Sequence, residues 1–141
     1  MAGRSDAPRC FVCGPQNPIG LGVHFRLEDE VCRGEFAPGT DHVGFDGVVH
    51  GGILYCVLDD VMANWFFLQG VRGYTARCQV RYRQPVAVGE PLLLEGRLLR
   101  RRGRMAVMEG VLRRAGDGTV AAQSEATFML EGDAGDGDGE G

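Results

Sequence analysis

One long apolar segment in the first half of the chain constrains the fold most. It runs from His50 to Gln69 and reads HGGILYCVLDDVMANWFFLQ. A strand of this length is rare, whereas at 1.5 Å per residue the segment makes a helix of ~30 Å. Apolar residues occur on nearly all sides of the predicted helix, which is typical of a buried one. Gly70 follows directly and is the expected C-terminal stop.

The segments on both sides of this helix alternate apolar and polar residues, which predicts strands. Two such segments, 23–27 and 31–36, precede the helix and form a hairpin, and residues 37–47 read as a loop. Four more segments follow the helix, at 74–86, 91–101, 104–115 and 119–130. Because short turns join these four, we expect a four-stranded antiparallel meander. The order β-β-α-β-β-β-β predicts an α+β fold in which the single helix covers one face of the sheet.

Composition sets limits on the class of protein. The chain has 141 residues, 44% hydrophobic and 24% charged, which fits one soluble domain. Its net charge of −4 comes from the segment 131–141, which holds five acidic residues and no basic one. The remainder has 14 acidic residues against 15 arginines, too balanced to indicate a nucleic-acid partner. We expect a flexible N-terminus at 1–9, one domain at 10–130 and a disordered acidic tail at 131–141.

The sequence also predicts a cytoplasmic protein without a membrane partner. No apolar run reaches the ~18 residues that a membrane span needs. The first residues, MAGRSDAPRC, lack the apolar centre of a signal peptide.

The five cysteines are an odd number, which argues against a disulfide framework in a cytoplasmic chain. Three of them lie among apolar residues and read as small core residues: Cys32, Cys56 and Cys78. Cys10 and Cys13 form the motif CFVCG, which resembles half of a zinc site. The chain has no second such half, although dimerisation could bring two pairs together. A redox pair is disfavoured because Pro15 and Pro18 follow where a helix would begin. We therefore predict no metal and no cofactor.

Two adjacent carboxylates stand inside the apolar helix. Burying a carboxylate is costly unless it is paired or functional, and burial raises its pKa, as suits a base or nucleophile. Asp59 is therefore a candidate catalytic residue, with capping of a loop or pairing with an arginine as the structural alternative. Asp60 points about 100° away around the helix and can pair with Asn64 at i+4, or with an arginine. We interpret Asp60 as a supporting residue.

The start of the helix is rich in glycine. The first N–H groups of a helix have no partner within it and carry partial positive charge. Gly51 and Gly52 permit close approach of a carbonyl oxygen, which suits an oxyanion hole. The alternative is a glycine-rich turn that His50 caps.

Three stretches of the sequence resemble a known family. The segments VVHGGILYCVLDD and RYRQPVAVGEPLLLEGRLLRRRGRMAVMEG resemble the hotdog-fold acyl-CoA thioesterase superfamily of the phenylacetate-pathway type, and CFVCGPQNPIGLGVHF resembles a subgroup of it. The resemblance covers about 10–130. It implies a long helix wrapped by a five- or six-stranded antiparallel sheet, a homodimer or dimer of dimers, and hydrolysis of an acyl-CoA thioester.

The resemblance also implies roles for individual residues. Asp59 is the general base or nucleophile, the Gly51 N–H polarises the thioester carbonyl with His50 nearby, and Thr75 lies near the catalytic acid. Nine residues separate His50 from Asp59, which places them on opposite sides of the helix and ~13.5 Å apart along its axis. We therefore expect a site built from two chains.

The substrate-binding residues are a wider set of predictions. Coenzyme A carries phosphates, which arginines bind well. The candidates for substrate binding are Gly52, Asp60, Arg81, Arg83 and Arg104.

The chain departs from the family pattern in the loop before the helix. Many members carry Asn or Gln there, whereas the residue six before His50 is Gly44. His42 or Asp46 could take that role. Two other functions remain open: a hotdog dehydratase or hydratase acting on acyl thioesters, and a non-catalytic acyl-CoA binding protein.

Overall fold

The computed structural model describes residues 6–132. Residues 1–5 of the predicted flexible N-terminus and 133–141 of the predicted acidic tail lie outside the described residues. The described part contains nine elements in chain order: β1 Arg26–Glu28, β2 Val31–Phe36, β3 Val43–Phe45, β4 Val48–Val49, α1 Gly51–Phe67, β5 Gly73–Tyr82, β6 Leu92–Arg102, β7 Met105–Arg114 and β8 Val120–Leu130.

Six strands form one antiparallel sheet in the order β1-β2-β6-β7-β8-β5, while β3 and β4 form a separate small hairpin. The predicted α+β fold with one helix and a six-stranded antiparallel sheet is confirmed. The predicted four-strand meander is wrong, because only β6, β7 and β8 are consecutive neighbours. Strand β2 and strand β7 occupy the two edges of β6. Strand β5 therefore pairs with β8 and forms an outer edge of the sheet.

The boundaries of three elements differ from the prediction, and one of them is β5, which ends at Tyr82 rather than at residue 86. The first strand is three residues long and begins at Arg26 rather than Val23. The predicted loop at 37–47 contains β3, which pairs with β4. The predicted hairpin of the first two strands is present, since Asp29 and Glu30 have positive φ and join β1 to β2 as a two-residue turn.

The helix packs on the sheet over two paired glycines. Gly96 of β6 and Gly110 of β7 are Cα partners. A Cβ atom on Gly96 would come within 2.5 Å of the Val61 carbonyl oxygen, and one on Gly110 within 3.3 Å of the Leu58 side chain. The absence of side chains at both positions therefore lets α1 lie directly against the strands.

One face of α1 is buried, with residues at helical spacing. Val57, Leu58, Val61 and Met62 are fully buried in the core. The expectation that the helix is buried on all sides is met only in part, because Tyr55 is 37% exposed. Within one chain, α1 thus has an uncovered side.

The helix ends where the sequence predicts. Gly70 adopts a left-handed conformation with φ of 85°. Its N–H donates to the Phe67 carbonyl, and the Val71 N–H donates to the Phe66 carbonyl. These two hydrogen bonds form a Schellman motif, in which glycine is the favoured residue.

None of the helices in residues 6–132 is both long enough and apolar enough to span a membrane.

We predict that Gly96→Ala lowers the free energy of unfolding by about 1–3 kcal/mol, the usual cost of overpacking a core. The new methyl group would meet helix backbone, which cannot move without shifting α1. Gly116→Ala is the matched control, because no atom lies within 4 Å of its added Cβ. Urea denaturation of both variants measures the difference. An unfolding free energy for Gly96→Ala equal to that of the control would contradict the close packing described above.

Candidate active site

Asp59 and Thr75 meet in a cleft between α1 and β5. The Thr75 hydroxyl donates a hydrogen bond of 2.6 Å to Asp59 Oδ1. The cleft has a volume of about 320 Å³. It is lined by Asp59, Asp60, Ala63, Phe67, Arg72, Gly73, Tyr74 and Thr75. The predicted proximity of Thr75 to Asp59 is confirmed, and both residues face a space that a ligand can enter.

The environment of Asp59 changes its proton affinity. Burial raises the pKa of the Asp59 carboxyl, and the nearby Cys10 raises it further, whereas the Thr75 hydrogen bond lowers it. Burial is the largest of these effects. The carboxylate is therefore more basic than an ordinary surface aspartate.

Asp60 faces a different set of partners from its neighbour. Asn64 Nδ2 donates to Asp60 Oδ2 at 3.1 Å and to the Asp60 carbonyl oxygen at 2.9 Å. The predicted i+4 pair of Asp60 with Asn64 is thus present. Cys10 Sγ lies 3.8 Å from Asp60 Oδ1. Asp60 also lines the cleft of Asp59.

His50 is the N-cap of α1. Its Nδ1 accepts a hydrogen bond of 2.8 Å from the Gly52 N–H, and its carbonyl accepts from the Ile53 N–H at 3.0 Å. A ring nitrogen that accepts carries no proton, so the neutral imidazole carries its proton on Nε2. His50 therefore has the capping role that the sequence left open as an alternative. Gly52, a predicted substrate-binding residue, is exposed.

The Gly51 N–H is the remaining donor of the first helical turn. It donates to no acceptor among residues 6–132, whereas the Gly51 carbonyl accepts a hydrogen bond of 2.9 Å from the Tyr82 hydroxyl. Tyr82 could not be recognised from the sequence, because nothing in its strand pattern distinguishes it from other alternating residues. The pairing links the start of α1 to the end of β5.

Gly51 lies in one cleft of the chain, and Asp59 and Thr75 lie in another. Gly51 lines a cleft of about 260 Å³. The other residues around it are Val49, Leu54, Tyr82, Arg83, Gln84, Pro85 and Val86. Asp59 and Thr75 line neither wall of this space. The sequence predicts that one chain does not bring His50 and Asp59 to one carbonyl, and the cleft at the helix start is indeed separate from the cleft of Asp59.

The three predicted substrate-binding arginines do not converge within one chain. Arg83 lines the Gly51 cleft and donates to Gln123 Oε1 at 2.6 Å. Arg81 lines a third, wider cleft along β5, β7 and β8. Arg104 donates to the Leu130 carbonyl at 3.0 Å, and Leu130 pairs with Gly73 at the opposite end of β5.

The loop before the helix places glycine beside the cap. A Cβ atom on Gly44 would lie 3.3 Å from the His50 Cα, so this position is in direct contact with the helix start. The His42 Nδ1 accepts a hydrogen bond of 2.9 Å from the Gly39 N–H. Asp46 is exposed. The side-chain amide of the family pattern has no counterpart at Gly44.

The aromatic residues near the end of the helix divide between two roles. Phe66 is 1% exposed and packs against Phe128 in the core. Trp65 is partly buried and donates to the Glu30 carbonyl at 2.9 Å. Phe67 lines the Asp59 cleft.

A long helix against a six-stranded antiparallel sheet, with a carboxylate cleft on its side, defines the hotdog thioesterase fold. The family model of the thioesterase superfamily matches residues 46–121, and the chain belongs to that superfamily. The family and fold expected from the sequence are therefore confirmed. The comparison with curated protein sequences gave no match.

Three solved structures illustrate the likeness. A thioesterase superfamily protein is 34% identical with a TM-score of 0.78, covering 84% of this chain and 58% of its own length. This chain thus spans little more than half of that protein. A phenylacetic acid degradation-related protein of Ralstonia eutropha is 26% identical, with a TM-score of 0.69 and coverage of 77% and 85%. A hypothetical thioesterase of Streptococcus pneumoniae, solved with coenzyme A, is 16% identical, with a TM-score of 0.72 and coverage of 78% and 86%.

Proposed function

We propose that the protein hydrolyses an acyl-CoA thioester to the free acid and CoA, at sites that two chains of a homodimer share. The observation that carries this proposal is the half-buried Asp59 carboxylate, which Thr75 fixes inside an open cleft of a thioesterase-superfamily fold. A carboxylate held in this way can take a proton from water or attack the thioester carbon directly. In the first case water adds to the thioester carbon as the C–S bond breaks; in the second, attack forms an acyl–Asp59 anhydride that water then hydrolyses to the free acid. In both cases CoA leaves as the thiolate, and the proton released from water is taken up by the thiolate or the solvent.

The carbonyl oxygen of the substrate needs a donor as charge develops on it. The Gly51 N–H fits this role, because it lies at the positive end of α1 and donates to no acceptor in the described chain. The capping bond of His50 to Gly52 holds the first turn in place. The His50 Nε2 proton is then available as a second donor at the same end of the helix.

The edge of the sheet supports a site shared between chains. On one side β5 pairs with β8, and no strand of residues 6–132 pairs with its other side. A ten-residue unpaired edge is a template for pairing with another chain. Thr75 near the start of β5 bonds to Asp59, and Tyr82 at its end bonds to Gly51. Antiparallel pairing of two β5 edges brings the Gly51 end of one chain to the Asp59 end of its partner.

Exposed aromatic side chains favour the same interface. Tyr74 is 56% exposed and Tyr82 50% exposed on β5, and Tyr55 is exposed on the uncovered side of α1. Phe45, in the hairpin beside His50, is 80% exposed. Large exposed apolar residues gathered at one edge typically mark an interaction surface. A second copy and the acyl chain of the substrate would cover them.

The site and the solved relatives support an acyl-CoA ligand. The Streptococcus pneumoniae protein is bound to coenzyme A, and the Ralstonia eutropha protein is related to phenylacetic acid degradation. In this chain Arg83 lines the Gly51 cleft and is a candidate for binding a CoA phosphate. Assembly of two dimers and a cytoplasmic location belong to the same proposal.

We predict that Asp59→Asn reduces thiol release from the preferred acyl-CoA by about 10²-fold or more, the scale of losing a general base or nucleophile. The amide is isosteric and still accepts the Thr75 hydrogen bond, so the fold is retained. Thiol release is followed with a thiol-trapping dye over short, long, phenylacetyl and benzoyl thioesters. Asp29→Asn is the matched control, because Asp29 lies in the β1–β2 turn with positive φ, which Asn tolerates.

Two results would contradict hydrolysis at Asp59. Full activity of Asp59→Asn would exclude its catalytic role. Absence of thiol release from every thioester, together with hydration of enoyl thioesters or with binding alone, would assign a dehydratase or a non-catalytic acyl-CoA binding protein.

The oxyanion role of Gly51 has its own test. Proline is favoured at the first helical position, and the residue before it must be extended, as His50 is with φ of −64° and ψ of 134°. Gly51→Pro therefore removes the N–H while preserving the helix, and we predict a loss of about 10²–10³-fold in kcat. Gly51→Ala keeps the N–H, and its Cβ makes only ordinary 3.5 Å contacts with Tyr82, so it is the control. Equal activity of the two variants would exclude the donor role.

A further inference from the structure

The N-terminal CFVCG motif forms a tight turn that presents two sulfur atoms together. The Gly14 N–H donates to the Cys10 carbonyl at 2.9 Å. A Cβ atom on Gly14 would lie 2.2 Å from the Cys10 backbone nitrogen, so only glycine fits this turn. The Sγ atoms of Cys10 and Cys13 are 3.5 Å apart. Val12, between them, is buried in the core and anchors the turn to the domain.

A third possible metal ligand comes from α1, which is far from the two cysteines in the sequence. Asp60 Oδ1 and Oδ2 lie 3.8 Å and 3.9 Å from Cys10 Sγ. The possible metal-ligand atoms of Cys10, Cys13 and Asp60, one from each residue, all lie within 4.8 Å of one another. The three residues are partly buried, and their side chains converge on one point beside α1.

Two of the three separations come close to those of a tetrahedral zinc site, and the third, from Cys13 Sγ to Asp60, is at most 4.8 Å. With Zn–S bonds of ~2.3 Å and Zn–O bonds of ~2.0 Å, tetrahedral geometry places two sulfur ligands ~3.8 Å apart and a sulfur and an oxygen ~3.5 Å apart. The observed 3.5 Å and 3.8 Å differ from these values by only a few tenths of an ångström. Small side-chain rotations therefore suffice to seat a metal.

A buried amide orients the same donors. Asn64 is 1% exposed. Its Nδ2 donates to Asp60 Oδ2 at 3.1 Å and lies 3.9 Å from Cys13 Sγ. Residues that hold metal ligands through hydrogen bonds in this way are typical of built metal sites.

We propose that the protein binds one Zn²⁺ per chain through Cys10 Sγ, Cys13 Sγ and one carboxylate oxygen of Asp60, with water in the fourth position. Two thiolates with a carboxylate favour zinc over the hard cations, which prefer oxygen ligands alone. This replaces the prediction of no metal, which rested on the missing second half of a zinc motif in the sequence. Bound in this way, the ion would tie the N-terminal segment to α1 next to Asp59.

Cobalt substitution tests the site without any assay of catalysis. The full-length chain is reduced, treated with a chelator, dialysed and titrated with Co²⁺. We expect one equivalent of Co²⁺ to produce thiolate-to-cobalt charge-transfer absorption, one equivalent of Zn²⁺ to abolish it, and Zn²⁺ to raise the melting temperature. Cys10→Ser and Cys13→Ser are each expected to remove the charge-transfer band at one equivalent. Asp60→Asn should retain a band with weaker affinity.

Cys78→Ser is the control, because Cys78 lies on β5 outside the group of donors, and it should titrate like the wild type. Absence of the band in the wild type would overturn the proposal, and that measurement does not depend on whether a variant folds. A band that survives replacement of both Cys10 and Cys13, or a Cys10–Cys13 disulfide that persists under reducing conditions and excludes metal, would also overturn it. Each of these results leaves the thioesterase proposal untouched, since none of them measures hydrolysis.

Discussion

The close contact between α1 and the two glycines of the sheet is the constraint on which the rest of the structure depends. At Gly96 the helix backbone lies directly against β6, and at Gly110 the side chains of Leu58 and Met62 occupy the space above β7. The close approach of α1 to the sheet fixes the position of Asp59 relative to β5. There the Thr75 hydroxyl donates a hydrogen bond of 2.6 Å to Asp59 Oδ1. The same close approach positions Asp60 beside the turn that contains Cys10 and Cys13. Close packing of this kind transmits small changes in volume, because protein interiors have few voids.

The two adjacent aspartates in the apolar helix have separate environments. Successive side chains on a helix diverge by about 100°, so neighbours in sequence face different partners. Asp59 meets a hydroxyl and an open cleft, whereas Asp60 meets a buried amide and a thiol. The sequence DD thus combines a residue suited to chemistry with a residue suited to holding the N-terminal segment in place.

Much of the fold could be predicted from local pattern. The helix, its stop at Gly70 and the long strands follow from hydrophobic periodicity and turn residues, and the pairing of Asp60 with Asn64 follows from helical spacing. The order of strands could not be predicted in this way, because it depends on β2 returning to pair with β6. That pairing joins residues such as Cys32 and Gly96, which no local signal connects.

The candidate functional residues also divide into those that local pattern predicts and those that it does not. Asp59 was predictable as a carboxylate inside an apolar helix, and Thr75 followed from the family resemblance. Tyr82 was missed because its hydrogen bond to Gly51 spans 31 positions. The third donor beside the cysteines was missed for a similar reason, since Cys10 and Asp60 are 50 positions apart. A sequence motif can reveal only metal ligands that lie close together in the chain. The Asp60 carboxylate comes next to the CFVCG turn only when the chain folds.

The most direct test of a site shared between chains is the activity of a purified heterodimer. One subunit carries Asp59→Asn, the other carries Gly51→Pro, and two different affinity tags isolate the mixed species. If each site combines Asp59 of one chain with Gly51 of its partner, one of the two sites is intact and the heterodimer has about half of the wild-type activity. If both groups act within one chain, every site carries a defect and the heterodimer is as inactive as either parent homodimer. That result would contradict the shared site.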